Sequence, residues 1–198
     1  MRPLILASTS PYRQQQLKQL RLPFAAHRHK VDESIEKQSD ESILTIVKKL
    51  SAAKAESLAS DFPDALIIGG DQIAEIDGVI LSKPGSPDMA QQQLRRLIGR
   101  SHNLWSGVAI HDPQTGQTQI AVERNIMTMR DLPGPQIDAY LDRDQPWDCA
   151  GSYKIESEGI TLFSSIESQD HTSIVGLPLM QLVNLLAEHG VHLPLVNP

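Results

Sequence analysis

The stretch Leu66-Ile67-Ile68-Gly69-Gly70-Asp71-Gln72 decides the fold, since three large apolar residues run directly into two glycines, an acid and an amide. A continuous apolar run of this kind is typical of a strand buried on both faces. Two glycines at its end let another group approach the backbone closely. Ligands of open α/β sheets bind in the crevice at the ends of central strands, and Asp71 stands at such an end. The stretch therefore predicts a buried strand that ends in either a ligand-binding acid or an ordinary turn acid.

The segments on either side of this strand alternate between strand and helix patterns. Apolar runs predict strands over 4–7, within 24–31 and over 103–110, 117–129 and 160–163, and Asp77-Gly78 predicts a hairpin after the central strand. Helical periodicity predicts helices from Pro11, over about 41–60, 87–98 and 135–143, and a last one that runs through 186. This alternation predicts an α/β protein with a mixed sheet flanked by helices. Since no segment marks a linker, we expect residues 1–198 to form a single domain.

The composition excludes several classes of function. A formal net charge of −6 argues against binding to nucleic acid polymers, although a few converging cations would still suit a small anionic ligand. No apolar run approaches the roughly 20 residues needed to span a membrane. The single cysteine, Cys149, excludes an intramolecular disulfide and indicates a reducing, cytoplasmic environment. A small buried hydrophobe explains Cys149 better than a nucleophile does.

A hydroxyl-rich loop follows the first predicted strand. Ser10 suits the N-cap of the next helix, and Pro11 suits its first position. Free backbone N–H groups and the helix dipole make such a place a ready anion site. Capping explains Ser10 but does not explain why Ser8, Thr9 and Arg13 gather beside it. The loop lacks the glycines and the Lys-Ser/Thr pair of a Walker motif, yet it predicts phosphate contact.

Two further residues, one in a predicted helix and one in a predicted loop, each have a structural and a functional interpretation. Lys54 lies four residues after Leu50 and four before Leu58, within the apolar stripe of the helix predicted over 41–60. A lysine on a buried face needs an anionic partner, which could be a structural carboxylate or a ligand phosphate. His102 could titrate near neutral pH, although a hydrogen-bonded structural histidine is the better interpretation.

Taken together, these segments resemble the Maf family of nucleoside triphosphate pyrophosphatases over nearly the whole chain. Seven blocks stand in the family's order: Leu6-Ala7-Ser8-Thr9-Ser10-Pro11-Tyr12-Arg13, Val31-Asp32-Glu33, Ala53-Lys54-Ala55, Gly69-Gly70-Asp71-Gln72, Lys83-Pro84, Gly151-Ser152-Tyr153-Lys154-Ile155-Glu156 and Val175-Gly176-Leu177-Pro178. The resemblance implies hydrolysis of a nucleotide to its monophosphate and diphosphate with a divalent metal. It also implies an elongated, inosine-triphosphatase-like fold with two lobes around a central cleft, and it suggests a homodimer.

Three positions resemble the subgroup of the family that acts on 7-methyl-GTP. These are the aromatic Tyr12 before Arg13, Gln72 after the key aspartate, and Glu156. Two departures qualify the match. Gly70 stands where that subgroup commonly has a serine, and the segment Ile155-Glu156-Ser157-Glu158-Gly159 leaves open whether Glu156 or Glu158 is the matching acid.

The roles that follow divide between phosphates, metal and base. We expect the phosphates to be bound by Ser8, Ser10, Arg13, Lys54 and Lys83. Glu33 and Asp71 supply the oxygen ligands that Mg²⁺ or Mn²⁺ prefers, and the resemblance makes Asp71 the proton acceptor for the attacking water. The positively charged ring of 7-methylguanine would be attracted to the face of Tyr12, and Glu156 could accept hydrogen bonds from its N1–H and exocyclic amine, with Gln72 helping.

Two alternatives stay open. The same reaction could act on dTTP, UTP or another non-standard nucleotide. A protein of another class, a nucleotide-binding regulator of septum formation, would bind without hydrolysis. The presence of both acids together with all three cations favours the enzyme.

Overall fold

The computed structural model describes residues 2–33 and 41–195. In chain order, strand β1 (Leu4–Leu6), helix α1 (Pro11–Lys18), β2 (Ala25–Ala26) and α2 (Ile43–Glu56) lead to the central strand β3 (Leu66–Ile76). Next come β4 (Val79–Leu81), α3 (Pro87–Leu97), β5 (Ser101–Asp112), β6 (Gln117–Met129) and α4 (Gly134–Asp144). The chain then forms β7 (Phe163–Glu167) and α5 (Leu179–Glu188), with short 3₁₀ helices at Ala150–Ser152, Glu158–Leu162 and His171–Val175.

Within the described residues, the strands form one mixed seven-stranded sheet in the order β2-β1-β3-β5-β6-β7, with β4 also paired to β3. Strand β1 runs parallel to both β2 and β3, whereas β4 is antiparallel to β3 and β7 is antiparallel to β6. The predicted α/β class is therefore confirmed. None of the helices in the described ranges has the length and apolar character that crossing a membrane requires.

The contacts of the chain divide it into two compact units. The first comprises the described parts of Met1–Asp71, Ser106–Glu123 and Asp170–Pro198, and the second comprises Gln72–Trp105 and Arg124–Gln169. Strands β3, β5 and β6 each continue along the chain from one unit into the other, and the division in β3 falls directly after Asp71.

The first unit contains a point where the sheet topology reverses. Strand β1 lies between β2 and β3, so the chain passes through α1 to one side of β1 and returns through α2 to the other. Ile68 packs in the apolar cluster that includes Leu17 of α1, whereas Ile67 packs in the cluster that includes Ala55 of α2. Helices therefore cover both faces of β3. In sheets of this type the crevice beyond the carboxyl end of the first strand is where ligands bind.

The ends of β1 and β3 differ in a way that creates this crevice. The register pairs Leu6 with Ile68, and Ala7 donates a last hydrogen bond to the carbonyl oxygen of Ile68 at 2.8 Å. Strand β1 then gives way to the loop before α1, while β3 continues through Gly69 and Gly70 to Ile76. The loop that begins at Ser8 thus lies beside the glycines and Asp71.

Three of the predicted strand boundaries were wrong. Strand β3 does not end at Asp71 but runs on to Ile76, where the predicted Asp77-Gly78 hairpin turns into β4 with both turn residues at positive φ. The segment 24–31 pairs only over Ala25–Ala26, because this strand lies at the end of the sheet order and its later residues are mostly charged or polar. The chain over 160–163 is mainly 3₁₀ helix, with a hydrogen bond from Thr161 Oγ1 to the carbonyl oxygen of Glu158, so β7 starts only at Phe163.

Candidate active site

A buried lysine joins two carboxylates in the first unit. The ammonium nitrogen of Lys54 lies 2.6 Å from Oδ1 of Asp71 and 2.8 Å from Oε1 of Glu33. The Lys54 and Asp71 residues are each only 2% exposed. The anionic partner that the sequence required for Lys54 is therefore a pair of structural carboxylates. Taking either partner out of such a buried pair leaves an uncompensated charge, which typically costs about 3–5 kcal/mol.

Helix α2 carries Lys54 to this position because glycines leave room for it on the sheet. A Cβ atom at Gly69 would overlap the carbonyl oxygen of Ser51 and lie 2.7 Å from the backbone nitrogen of Ala55. One at Gly107 of β5 would overlap Oγ of Ser51 and lie 2.7 Å from Cγ1 of Val47. Missing side chains on two strands thus let the helix approach the sheet closely enough for a side chain of α2 to reach Asp71.

Ser51 also fixes the backbone of the central acid. Its Oγ is fully buried and accepts a hydrogen bond from the backbone N–H of Asp71 at 3.1 Å. Lys54 follows Ser51 by three residues, so both side chains lie on the same face of the helix. One face of α2 therefore holds both the backbone and the carboxylate of Asp71.

The loop before α1 has the geometry of a helix N-terminus with hydroxyl caps. Ser10 is the N-cap, Pro11 takes the first helical position, and Oγ of Ser10 accepts from the backbone N–H of Arg13 at 3.4 Å. Oγ of the buried Ser8 accepts from the backbone N–H of Ser10 at 3.2 Å, and Thr9 is exposed. The predicted capping is confirmed. The loop is a place where an anion would meet backbone N–H groups and the positive end of the helix dipole.

The side chain of Arg13 is fixed by a hydrogen bond from Nε, and its guanidinium lies near Asp71 and Glu33. Its Nε donates to the carbonyl oxygen of Gly176 at 2.9 Å. Within the described residues its two Nη groups have no hydrogen-bond partner. Burial lowers the pKa of Arg13 and the charges of Asp71 and Glu33 oppose that shift, so the guanidinium lies within electrostatic reach of both acids. It is a cation with two donor groups available for an oxyanion.

Gly70 of β3 lies next to the side chain of Arg13. A Cβ atom there would lie 3.1 Å from the carbonyl oxygen of Gly107, 3.3 Å from Cδ1 of Leu177 and 3.8 Å from Nε of Arg13. These contacts are tighter than ordinary van der Waals packing on two sides. A serine at this position, as expected from the subgroup that the sequence resembles, would require Leu177 or β5 to shift.

The acids of the first unit fit a divalent cation that is shared with a ligand. Oδ1 of Asp71 is bound by Lys54, whereas its buried Oδ2 has no hydrogen-bond partner among the described residues. No group of three or more His, Cys, Asp or Glu side chains that could hold a metal occurs in residues 2–33 and 41–195. Mg²⁺ is commonly held by only one or two carboxylates, with waters and substrate phosphates as its other ligands. Glu33 and Asp71 are consistent with that kind of site.

The remaining predicted site residues lie on other elements. Tyr12 is half-buried on the first turn of α1 in the first unit. Gln72 is half-buried in β3 and is the first residue of the second unit. Lys83 is exposed and follows β4 by two residues, after the pair between Ala74 and Leu81. Ser8, Ser10, Arg13, Glu33, Lys54 and Asp71 all belong to the first unit, and Lys83 and Glu156 belong to the second.

The segment that carries Glu156 is fastened to the end of α4 within the second unit. Nζ of Lys154 donates to the carbonyl oxygen of Asp144 at 2.9 Å, and Oγ of Ser157 donates to Oδ1 of the same residue at 2.8 Å. Gly159 packs against the backbone of Lys154 so closely that a Cβ atom would overlap its carbonyl oxygen. This anchoring leaves Glu156 exposed at the tip of the turn.

Glu158, the other acid of this turn, is occupied by a neighbour. Arg143 donates to its two carboxylate oxygens, at 2.6 and 2.5 Å, and this pairing lowers the pKa of Glu158. Of the two acids left open by the sequence, Glu156 is the one whose carboxylate this arginine does not hold.

Two reactive residue types are structural here. His102 is buried, its Nε2 pairs with the hydroxyl of Tyr153 at 3.0 Å, and burial lowers its pKa to about 4. Cys149 is half-buried, and burial raises the pKa of its thiol to about 12. A thiol with so high a pKa is not a nucleophile at neutral pH. Both interpretations that the sequence favoured agree with this geometry.

The sequence analysis did not identify the residues that position Asp71 through its backbone and through the packing of α2. Ser51 and Gly107 carry no charge and belong to no motif that the sequence analysis used. A polar residue in the apolar stripe of α2, three positions before Lys54, was one available signal. A glycine inside the predicted strand 103–110 was another, because such a glycine often marks a close approach of backbone.

The first unit combines a hydroxyl loop at a helix N-terminus with a buried acid and two cations. This is the arrangement of an α/β protein with a candidate anion-binding site at a topological switch point. Residues 3–189 match the family model described as Maf-like protein. The chain belongs to the Maf family.

Relatives of known name agree with this assignment over nearly the full length. The 7-methyl-GTP pyrophosphatase of Pseudomonas aeruginosa is 45% identical over 191 residues, covering 96% of this chain and 98% of that protein. The protein of the same name from Syntrophotalea carbinolica is 42% identical, covering 96% of each chain. Among solved structures, the Staphylococcus aureus Ham1 protein aligns with a TM-score of 0.53 at 14% identity, covering 96% of this chain and 100% of that one. This structural likeness concerns the fold.

Proposed function

We propose that the protein is a pyrophosphatase that hydrolyses a nucleoside triphosphate, 7-methyl-GTP above others, to the nucleoside monophosphate and diphosphate. The observation that carries this proposal is the buried centre in which Lys54 joins Asp71 and Glu33, together with Arg13 and the hydroxyl loop beside it. The relatives that are 42% and 45% identical bear the name of this activity.

The phosphates would be bound where the first unit concentrates donors. The backbone N–H groups at the start of α1 and the two Nη groups of Arg13 suit phosphate oxygens. Lys54 can contribute a point charge to a phosphate oxygen. Lys83 is proposed as a further phosphate ligand on the strength of the family resemblance.

Asp71 would act on the attacking water. Oδ2 has no partner among the described residues, so it is the oxygen available to take the water proton as the new bond forms at the α-phosphorus. The bond from that phosphorus to its bridging oxygen breaks, and diphosphate leaves with the electron pair. Ser51 holds the backbone of Asp71, and in the free protein Lys54 on Oδ1 fixes the orientation of the carboxylate. A divalent cation, held by Glu33 and Asp71, would lower the pKa of the water and offset the charge of the leaving group.

The preference for the base rests on Tyr12, Gln72 and Glu156. A tyrosine face attracts the cationic 7-methylguanine ring by about 0.5–2 kcal/mol. A carboxylate at Glu156 that accepts from N1–H and the exocyclic amine would be left unpaired by a uracil or thymine, which is costly in a desolvated site. Glu156 is exposed on its turn, whereas Arg143 donates to both carboxylate oxygens of Glu158.

One experiment tests the reaction and its alternatives together. Purified protein is incubated with Mg²⁺ or Mn²⁺ and a panel of 7-methyl-GTP, GTP, dTTP and UTP, and released diphosphate is measured. We expect release to be fastest from 7-methyl-GTP. Faster release from UTP or dTTP would retain the reaction and change the base, whereas binding of nucleotides with no release from any of them would indicate a regulator.

A further inference from the structure

In the buried centre of the first unit, the described carboxylates are already paired with cationic side chains before any metal ion is added. Lys54 contacts one oxygen of Asp71 and one oxygen of Glu33, and Arg13 lies within electrostatic reach of the same two acids. Among the described residues, two permanent cations therefore face two carboxylates, and Nε2 of His29 lies 3.5 Å from the same oxygen of Glu33, whose side chain is 33% exposed. The side chains of Lys54 and Asp71 are almost wholly shielded from water, at 2% and 3% exposed. Screening by solvent and salt is weak at such a place, so the charge balance constrains what else can bind.

This balance disfavours a divalent cation in the free protein. An ion bound through the unpartnered Oδ2 of Asp71 would share a carboxylate with the ammonium already on Oδ1. Moving the ammonium away is no easier, because a lysine that is 2% exposed has no solvent to receive its charge. The first route places two positive groups on one carboxylate, and the second leaves a buried ammonium without an anionic partner.

A bound polyphosphate would reduce both the repulsion between the metal ion and Lys54 and the cost of moving the ammonium. Its oxygens offer Lys54 an anionic partner in place of Asp71 and Glu33, and they add negative charge next to the incoming ion. The inference rests on the proposed function, since it takes the polyphosphate of a nucleotide as the ligand of this centre.

We propose that Lys54 acts as a built-in counter-cation that keeps the metal site closed until a nucleotide triphosphate binds. Metal and nucleotide then bind with positive coupling, and by linkage each raises the affinity for the other by the same factor. The free protein does not hold the metal as a resident ion. In this scheme Lys54 has a role before it binds phosphate, because it decides when the two carboxylates become metal ligands.

The test measures Mn²⁺ binding to the free protein by the loss of the free-ion electron paramagnetic resonance signal. Lys54→Met removes the ammonium group and keeps an unbranched side chain of similar length. Lys49→Met on the same helix is the matched control, because Lys49 is exposed and pairs with Glu41 at 2.6 Å. We expect Lys54→Met to bind Mn²⁺ at least about tenfold more tightly than the wild type, and Lys49→Met to match the wild type. Equal affinities for Lys54→Met and the wild type would overturn the proposal.

Folding of the variant provides a second readout. Lys54→Met leaves Asp71 and Glu33 without their cation, so the variant should melt at a lower temperature than the wild type, and Mn²⁺ should restore its melting temperature far more than it raises that of the wild type. If the variant is unfolded without metal, far-ultraviolet circular dichroism during a Mn²⁺ titration takes the place of melting. A variant that Mn²⁺ neither stabilises nor refolds would contradict the role of Lys54. The gain should also vanish in the double variant Lys54→Met with Asp71→Asn.

The nucleotide arm uses an α,β-methylene analogue of the triphosphate with the wild type. Mn²⁺ affinity, corrected for chelation by the analogue in buffer, should rise by about tenfold or more when the analogue is present. Tight Mn²⁺ binding by the wild type without the analogue would refute the closed site. None of these measurements requires turnover. If the protein released no diphosphate, the proposed reaction would be refuted, but Mn²⁺ binding would still test the role of Lys54.

Discussion

Arg143 holds Glu158 through two parallel hydrogen bonds, from Nε to Oε2 at 2.6 Å and from Nη2 to Oε1 at 2.5 Å. Glu156, two residues earlier, is exposed on a turn that Lys154 and Ser157 fasten to the end of α4. The two acids are close in sequence and differ in what they can do. One is engaged by an arginine of its own unit, and the other is presented by a fixed backbone.

Replacing these acids separately should therefore give different results. We expect Glu156→Ala to lower kcat/KM for 7-methyl-GTP by roughly 10- to 100-fold while kcat/KM for UTP changes little, because only the guanine base loses paired hydrogen bonds. Glu158→Ala breaks an exposed ion pair, which is typically worth less than about 1 kcal/mol, and should lower both activities equally and slightly. The ratio of kcat/KM values for the two nucleotides is the measurement. A selective loss in Glu158→Ala would transfer the base-reading role to that residue.

Asp71→Asn tests the proton acceptor. The amide keeps the shape of the side chain and can still accept from Lys54 through its oxygen, but it cannot take a proton from water. We expect kcat to fall by about 10²–10⁴ with the far-ultraviolet spectrum unchanged. Gln114→Ala, at an exposed turn of the same unit, is a suitable control and should retain full activity. A folded Asp71→Asn protein with substantial turnover would mean that another group accepts the proton.

A substitution at Gly107 tests the close packing of α2 against the sheet. A Cβ atom there overlaps Oγ of Ser51 and reaches Val47, so Gly107→Ala should push the helix outward and destabilise the protein by about 1–3 kcal/mol in urea unfolding. Activity should fall further than stability alone explains, because Lys54 moves with the helix. Gly134→Ala is the matched control, since nothing lies within 4 Å of a Cβ at that position.

Relief of the overlap gives a sharper form of this test. Ser51→Ala removes the hydroxyl oxygen with which the new methyl collides, so the double variant should be more stable than the two single losses add up to. Its activity should stay low, because the hydrogen bond to the backbone of Asp71 is gone. Strict additivity of the two free energies would show that the helix is not held off the sheet at this contact.

His102 makes the stability of the fold depend on pH. Burial lowers its folded-state pKa to about 4 from an ordinary 6.5, so the unfolded chain takes up the proton first. The contribution is full above pH 6.5, is lost as the pH falls toward about 4, and amounts to about 3 kcal/mol. Wild type should lose that much more stability than His102→Gln between pH 7.5 and pH 4, measured by urea unfolding. His192→Gln, at an exposed position, should follow the wild type, and parallel pH curves for wild type and His102→Gln would contradict the assignment.

The sequence predicted the parts of the fold in which a local pattern has a single structural interpretation. Three large apolar residues before Asp71 could form only a buried strand, and Asp77-Gly78 could form only a tight hairpin. Lys54 in an apolar stripe required an anion, and the structure provides Asp71 and Glu33. Each of these conclusions came from a local rule that the tertiary structure did not oppose.

The failures came where residues outside the local stretch decide the outcome. The central strand continues past Asp71 because β4 pairs with it over Ala74–Ile76, and nothing within the stretch itself shows that pairing. Ser51 could have been any small residue in a helix until β5 brought Gly107 against it. The ion pair of Glu158 was not predicted either, because its partner Arg143 lies on a helix more than ten residues upstream.

Two positions without side chains also bear on how this protein can vary. Since Gly69 and Gly107 set the spacing between α2 and the sheet, the outer face of α2, with the exposed Lys48 and Lys49, can change freely while its inner face cannot. A saturation scan should therefore find the narrowest tolerance at residues that never touch a nucleotide. Engineers who wish to alter the chemistry of Asp71 would have to redesign the thickness of this layer along with the charges in it.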